Sequence, residues 1–151
     1  MASQELGADV TLRLERTIAA PPARIYAAWT QAEELTRWFA PSNEFKTVVT
    51  ALDTRVGGRY RIEMHRPDGK ISIAIGQFRE LNPPNRLVFT WKWEENPDMP
   101  DSIVTVTISP EGKGSRLVLV HEKLADAKSR EGHNQGWIGC LGRLEVLFQF
   151  A

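Results

Sequence analysis

The chain has 151 residues, which suits one domain (residues 1–151, with a core from about 10 to 150), and 19 Lys and Arg balance 19 Asp and Glu to a net charge of +0. The balanced charge excludes the basic surface that nucleic acid requires, and no apolar run approaches the roughly 18 residues of a membrane-spanning helix. The single cysteine, Cys140, excludes an internal disulfide and a multi-cysteine zinc site, and without an apolar N-terminal leader we expect a cytoplasmic protein.

The N-terminal part predicts a strand followed by two short helices. Apolar and polar residues alternate from Val10 to Ala19, as in a half-buried strand, except that Arg16 falls on the apolar face. A guanidinium there needs a carboxylate partner or a ligand anion, unless it lies at a frayed strand edge. The Pro21–Pro22 pair suits a helix start, and Thr30–Glu33 matches the capping box of a second helix that ends before Pro41.

Six further strands follow, several with alternating polarity and most separated by short turns rich in Gly, Pro, Asn and Asp. The candidate segments are Phe45–Leu52, Arg59–His65, Ile71–Leu81, Leu87–Glu94, Ile103–Ser109 and Leu117–His121. Short turns between consecutive strands predict an antiparallel sheet, because parallel neighbours need long crossover connections.

The C-terminal segment changes to a helical period. Its apolar residues recur at intervals of three and four as one stripe of a long helix: Trp137, Cys140, Leu141, Leu144, Leu147 and Phe148. This helix is the only late element available to cover the apolar face of the sheet, so we predict an α+β fold. Gly132, Gly136, Gly139 and Gly142 lie within it or at its start, and each interior glycine costs about 1 kcal/mol against alanine. They would allow a close approach, leave space for a ligand, or give a mobile helix start.

Leu87, Phe89, Trp91 and Trp93 share one strand face, which is either plain core or the wall of a ligand cavity. His121 is in phase with apolar neighbours, so its ring should point inward, as a satisfied core histidine or as a polar anchor or acid–base group.

Other reactive side chains have simpler interpretations. Glu63 and His65 lie on the polar face of their strand, where solvated residues are expected, and Cys140 on the helical stripe is typical of a small buried hydrophobe. The 3 histidines show no metal-binding spacing, and no phosphate-binding glycine motif is present. We therefore predict no metal and no cofactor.

Five segments together resemble one family. They are LERTIAAPPARIYAAWTQAEELTRWFAP, GGRYRIEMHRPDG, GQFRELNPPNRLVFTWKW, SRLVLVHEKL and HNQGWIGCLGRL. In order and spacing they resemble the bacterial homologues of the C-terminal domain of the heat-shock-protein-90 ATPase activator, within the START-like (SRPBCC, helix-grip) superfamily. The positions that carry the resemblance are Trp29, Trp38, Gly57, Gly58, Tyr60, Gly69, Pro84, Leu87, Gly136, Trp137 and Leu144.

The resemblance implies a helix-grip fold: a seven-stranded antiparallel sheet wrapped around the long C-terminal helix, with two short helices after the first strand and a mainly hydrophobic cavity between sheet and helix. None of the matching positions is an established catalytic residue of the whole family. The superfamily contains lipid binders and polyketide cyclases, so fold kinship alone does not transfer chemistry.

We predict that the cavity binds a small hydrophobic or aromatic molecule. The predicted ligand-binding residues are Trp38, Tyr60, Met64, Ile73, Phe89, Trp91, Trp93, His121, Trp137 and Leu141. One alternative is a cavity enzyme of cyclase, dehydratase or hydrolase type, which would need His121 paired with Glu63 or Glu94 although the strand phases oppose both pairs. Another is a stress-response module that acts on a chaperone ATPase. The edge strands permit a homodimer without requiring one.

Overall fold

The computed structural model describes residues 10–149, which form one antiparallel sheet and three helices, as predicted. The strands are β1 (Val10–Ile18), β2 (Lys46–Leu52), β3 (Arg59–His65), β4 (Ile71–Asn82), β5 (Arg86–Trp93), β6 (Ser102–Glu111) and β7 (Gly114–Leu124). The helices are α1 (Pro22–Thr30), α2 (Ala32–Trp38) and α3 (Ala127–Gln149). This arrangement confirms the predicted α+β helix-grip architecture.

The seven strands lie in the order β1-β7-β6-β5-β4-β3-β2, and every neighbouring pair is antiparallel. From β2 onward, consecutive strands are neighbours, which short turns allow. The strand register shifts at three places, between Val10 and Leu12, between Val49 and Ala51, and between Phe78 and Glu80. Such irregularities increase the local twist and bend of a strand, as a sheet that wraps a helix requires.

The core lies between the sheet and α3. The predicted stripe of α3 is buried at Trp137, Cys140, Leu141, Leu144 and Phe148, while Leu147 is partly buried. It packs on a sheet face on which Val104, Val106, Leu117 and Leu119 are completely buried. The helical and strand periodicities of the sequence therefore meet in one continuous apolar layer.

The predicted capping box at Thr30–Glu33 is wrong, although α2 does begin at Ala32. Thr30 is the last residue of α1, and its Oγ1 donates a hydrogen bond to the carbonyl oxygen of Tyr26 at 2.8 Å. Gln31 occupies the cap position in extended backbone conformation and makes no side-chain cap bond. The Thr30 hydroxyl is therefore bonded within α1 and is not available to cap α2.

Arg16 has a carboxylate partner, as expected for a guanidinium on the apolar face of its strand. Its Nε lies 3.2 Å from Oε1 of Glu145 on α3. Both side chains keep partial solvent contact, so the pair, which links β1 to α3, contributes little to stability.

Two residues of α3 hold the segment that follows α2. A Cβ atom on Gly139 would lie 2.2 Å from the carbonyl oxygen of Pro41, so only glycine permits this approach. One turn later, Arg143 donates to Oδ1 of Asn43 at 3.0 Å and to the carbonyl oxygens of Arg37 and Trp38 at 3.2 Å each. A guanidinium suits carbonyls left free at a helix end.

Candidate functional site: an aromatic cleft

An open cleft of about 660 Å³ lies beside the N-terminal half of α3. Its walls come from the segment after α2, from β3, β4 and β5, from the β5–β6 loop and from the end of β7. Its apolar lining consists mainly of Phe39, Pro41, Phe45, Met64, Trp91, Trp93, Met99, Pro100, Leu124, Trp137 and Cys140. The volume lies within the range of small-molecule sites.

Aromatic rings form the wall that β5 and α3 share. The ring centroid of Trp91 lies 5.3 Å from that of Trp93 and 5.2 Å from that of Trp137. The ring of His133 stacks on Trp93, with the centroids 5.9 Å apart and the planes 26° from parallel. Wide, flat side chains with this spacing offer apolar and π contacts to a ligand of similar shape.

A series of hydrogen bonds holds this aromatic wall in place. Trp137 on α3 donates its indole Nε1–H to Nδ1 of His121 at 3.0 Å. Because Nδ1 accepts, the proton of neutral His121 resides on Nε2, which donates to Oγ of Ser102 at 2.7 Å. The Ser102 hydroxyl then donates to the carbonyl oxygen of Trp91 at 2.9 Å. These hydrogen bonds link α3 to β7, β6 and β5 and orient Trp137 against Trp91.

His121 is held neutral by its surroundings. Burial, with a smaller effect of nearby His133, lowers the pKa of His121 from 6.5 to about 3. Burial also lowers the pKa of His133, against an opposing hydrogen bond to the backbone of Ser129. Both ring nitrogens of His121 are engaged, so this residue supports the wall and offers no free lone pair for acid–base chemistry.

We expect stability to decrease as the pH falls below the unfolded-state pKa of the buried histidines. Between about pH 6.5 and 3 the unfolded chain binds a proton at His121 that the folded chain does not, so unfolding becomes more favourable as pH falls. For His121 alone the loss from pH 7 to pH 5 is about 2 kcal/mol, and His133 adds to it. Urea unfolding at pH 7 and pH 5 measures this, with His121→Gln as the variant expected to show a smaller loss. Equal urea midpoints for the wild type at the two pH values would contradict it.

The structure divides the ten predicted ligand-binding residues into three groups. Met64, Trp91, Trp93 and Trp137 line the cleft. Ile73 instead lines a second, more open depression together with Arg66, Lys70 and Glu94. The other five are buried without lining the cleft: Trp38, Tyr60, Phe89, His121 and Leu141. The ligand-binding role of all ten stays a prediction.

The five buried residues support the fold around the cleft. Trp38 donates its Nε1–H to the carbonyl oxygen of Ala28 at 3.0 Å and joins α1 to α2. Tyr60 donates its hydroxyl to the carbonyl oxygen of Thr90 at 2.5 Å, and its ring packs edge-on against Phe89 at 5.6 Å. Tyr60 therefore braces β5, which carries part of the aromatic wall, while Trp38 holds the two short helices together.

The glycines of α3 separate into different roles. A Cβ atom on Gly132 or Gly136 would meet nothing within 4 Å, and both residues line the cleft. Gly142 is equally unobstructed but lies outside the cleft lining, whereas Gly139 makes the close approach to Pro41. Two of the three predicted roles are found. Gly132 and Gly136 leave space on the helix face, and Gly139 allows a close approach.

The pairing that a cavity enzyme would require is not formed. Glu63 lies 2.7 Å from His65 and 2.6 Å from Arg61, and Glu94 lies 2.7 Å from Arg61. These bonds lower the pKa of both carboxyl groups, with His65 the largest influence on Glu63 and Arg61 on Glu94. The carboxylates thus belong to a separate charged network, and the hydrogen bonds of His121 go to Ser102 and Trp137.

Sequence reasoning missed several residues of the cleft, including Phe39, Ser102 and His133, and it did not place Cys140 there. His133 could have been found, because it lies one helical turn before Trp137 and shares its face. The Cys140 thiol lines the cleft, but burial raises its pKa to about 12, so it stays protonated and is a poor nucleophile.

Within residues 10–149, no group of three or more His, Cys, Asp or Glu side chains could hold a metal ion. In the same range, no helix is both long enough and apolar enough to cross a membrane.

The comparisons with known proteins agree on one family. Residues 19–149 match the family model described as activator of Hsp90 ATPase homolog 1-like protein. Protein CV1439 from Chromobacterium violaceum is similar, with 33% identity, a TM-score of 0.84, and coverage of 93% of this chain and 98% of that chain. The AHSA1 protein from Silicibacter pomeroyi has 29% identity and a TM-score of 0.80, over 91% of this chain and 96% of its own.

CalU16 from Micromonospora echinospora shares the fold, with 24% identity, a TM-score of 0.72, and coverage of 93% of this chain and 76% of that one. A comparison with curated proteins found no match. The family model matches nearly all the described residues, and the fold of the chain is the one predicted from the sequence. The chain therefore belongs to the activator of Hsp90 ATPase homolog 1-like family, within the START-like superfamily.

Proposed function

We propose that this protein binds a small apolar or aromatic molecule in the cleft beside α3. The observation that carries the proposal is the wall of Trp91, Trp93 and Trp137, which borders an open volume of about 660 Å³ and is fixed by the hydrogen bonds of His121. A wall held in place before binding loses little conformational freedom when a ligand arrives, which favours affinity.

The composition of the cleft supports an apolar ligand with a polar end. Aromatic and aliphatic side chains dominate its inner part, while charged residues such as Arg66, Lys123 and Lys128 also line it. Ligand sites of this kind take most of their binding energy from apolar contact and their specificity from a few polar groups.

Binding without catalysis is the function that the geometry favours. The acid–base pair that the cavity enzyme would need is not formed, because both ring nitrogens of His121 are engaged and Glu63 and Glu94 bind other partners. The chaperone-linked role remains a weaker second candidate, supported by the family description alone. The proposal also includes a cytoplasmic location, no cofactor and no nucleic-acid partner, and it leaves room for a homodimer.

Intrinsic tryptophan fluorescence tests the proposal, because 5 Trp are present and Trp91, Trp93 and Trp137 line the cleft. The protein would be titrated with a panel of hydrophobic and aromatic compounds, and its melting temperature followed in parallel. We expect at least one compound class to change the emission and to raise the melting temperature as ligand concentration increases.

A panel that changes neither fluorescence nor melting temperature would reject ligand binding. In that case an ATPase assay of an Hsp90-type chaperone with this protein added would test the second candidate, for which stimulation is expected.

A further inference from the structure

His133 lies at the boundary between the aromatic wall and the open space of the cleft. It projects from α3 one turn before Trp137, lines the cleft, and stacks on Trp93. Its ring also stands edge-on to Trp91, with the centroids 6.3 Å apart. A ligand that binds against this wall would therefore pass beside the His133 ring.

One nitrogen of His133 is already committed. Nδ1 lies 2.8 Å from the backbone carbonyl oxygen of Ser129, one turn earlier on α3. A carbonyl oxygen only accepts, so Nδ1 carries the proton and donates it. In the neutral ring, which burial favours by lowering the pKa of His133, Nε2 then carries a lone pair.

That lone pair has no protein partner within residues 10–149, because the hydrogen bonds of His133 all involve Nδ1. The neighbouring histidine offers nothing comparable, since both ring nitrogens of His121 are engaged with Ser102 and Trp137. The wall also contains Trp91 Nε1, a buried donor without a partner among the described residues. A ligand hydroxyl can donate a hydrogen bond as well as accept one, which a purely hydrocarbon ligand cannot do.

We infer that the cleft selects flat aromatic molecules that carry a hydroxyl group, with the ligand O–H donating to Nε2 of His133. The inference rests on the proposed binding function and names the ligand class and the residue that recognises it. The ring of the ligand would take the aromatic contacts, and the one hydrogen bond would set its orientation.

The test compares three probes of nearly equal shape: 2-naphthol, 2-methoxynaphthalene and naphthalene. Only 2-naphthol can donate a hydrogen bond, so the wild type should bind it about fivefold more tightly than either of the others. The matched variant is His133→Phe, which keeps a flat ring against Trp93 but has no acceptor nitrogen. In this variant we expect the ratio of the 2-naphthol affinity to the naphthalene affinity to fall to about one.

The outcomes separate this inference from the function on which it rests. If all three probes bind the wild type equally, the hydroxyl preference is wrong and the binding function stands. A preference for 2-naphthol that survives in His133→Phe would show that another residue recognises the hydroxyl. If none of the probes binds and the broad panel also gives no response, both proposals fail. The wild-type comparison does not depend on the folding of any variant.

Discussion

Gly136→Leu should weaken ligand binding by about 10- to 100-fold without unfolding the protein. A Cβ atom at position 136 meets nothing within 4 Å and Gly136 lines the cleft, so we expect the new side chain to extend into the cleft. There it would occupy the volume that the ligand needs. The helix itself gains from the change, because leucine forms helices better than glycine by about 0.8 kcal/mol.

The matched control is Gly142→Leu. Gly142 lies on the same helix, is equally unobstructed and is outside the cleft lining. Both variants therefore receive the same side chain and a similar gain in helix propensity. Titration with the best compound of the panel should show normal affinity for Gly142→Leu and strongly reduced affinity for Gly136→Leu. Equal affinities in the two variants would place the ligand elsewhere.

Gly139→Ala is expected to destabilise the fold by about 2–4 kcal/mol, the largest effect on stability that we predict. The added Cβ would lie 2.2 Å from the carbonyl oxygen of Pro41 and 2.8 Å from its carbonyl carbon. Because these are backbone atoms, α3 or the segment after α2 must move. That segment is also held by Arg143, so it cannot retreat without losing hydrogen bonds.

The same substitution three residues later should have the opposite sign. Gly142→Ala places its methyl group in open space and should stabilise the protein by about 1 kcal/mol through helix propensity alone. Urea unfolding of both variants measures the difference. A Gly139→Ala protein as stable as Gly142→Ala would show that α3 and the Pro41 segment do not touch in solution.

Much of the architecture was predictable because it follows from periodic burial. The alternation in most strands and the stripe from Trp137 to Phe148 both record which side chains leave water, and the structure buries most of them as predicted. In β4 the predicted apolar face is wrong, because Ile71 is exposed and Ile73 is only partly buried, while Ala74 and Phe78 are buried. Another local prediction that was wrong, the capping box at Thr30, concerns a short polar side chain with two backbone partners within reach. The sequence pattern alone does not decide which backbone partner the Thr30 hydroxyl binds.

The candidate site was predictable only in part, for a physical reason. Strand phase shows which face of β5 points inward, so it identified Trp91 and Trp93, but it cannot tell packed core from the edge of an open space. Phe89 shares their face, two residues from Trp91, yet is packed against Tyr60 and Phe78. Trp29 of α1 also packs against Phe89, whereas Trp91 borders the open cleft, and this difference depends on long-range packing.

Nuclear magnetic resonance of the tryptophan indole N–H groups can locate a bound ligand, because each of the 5 Trp gives its own signal. With a ligand from the panel added, we expect large shifts for Trp91, Trp93 and Trp137, which line the cleft. Trp29 and Trp38 are buried and do not line the cleft themselves, although Trp29 packs against Trp137, so their signals should move less. Shifts confined to Trp29 and Trp38, or no shift in any indole signal at saturating ligand, would contradict an aromatic ligand site in this cleft.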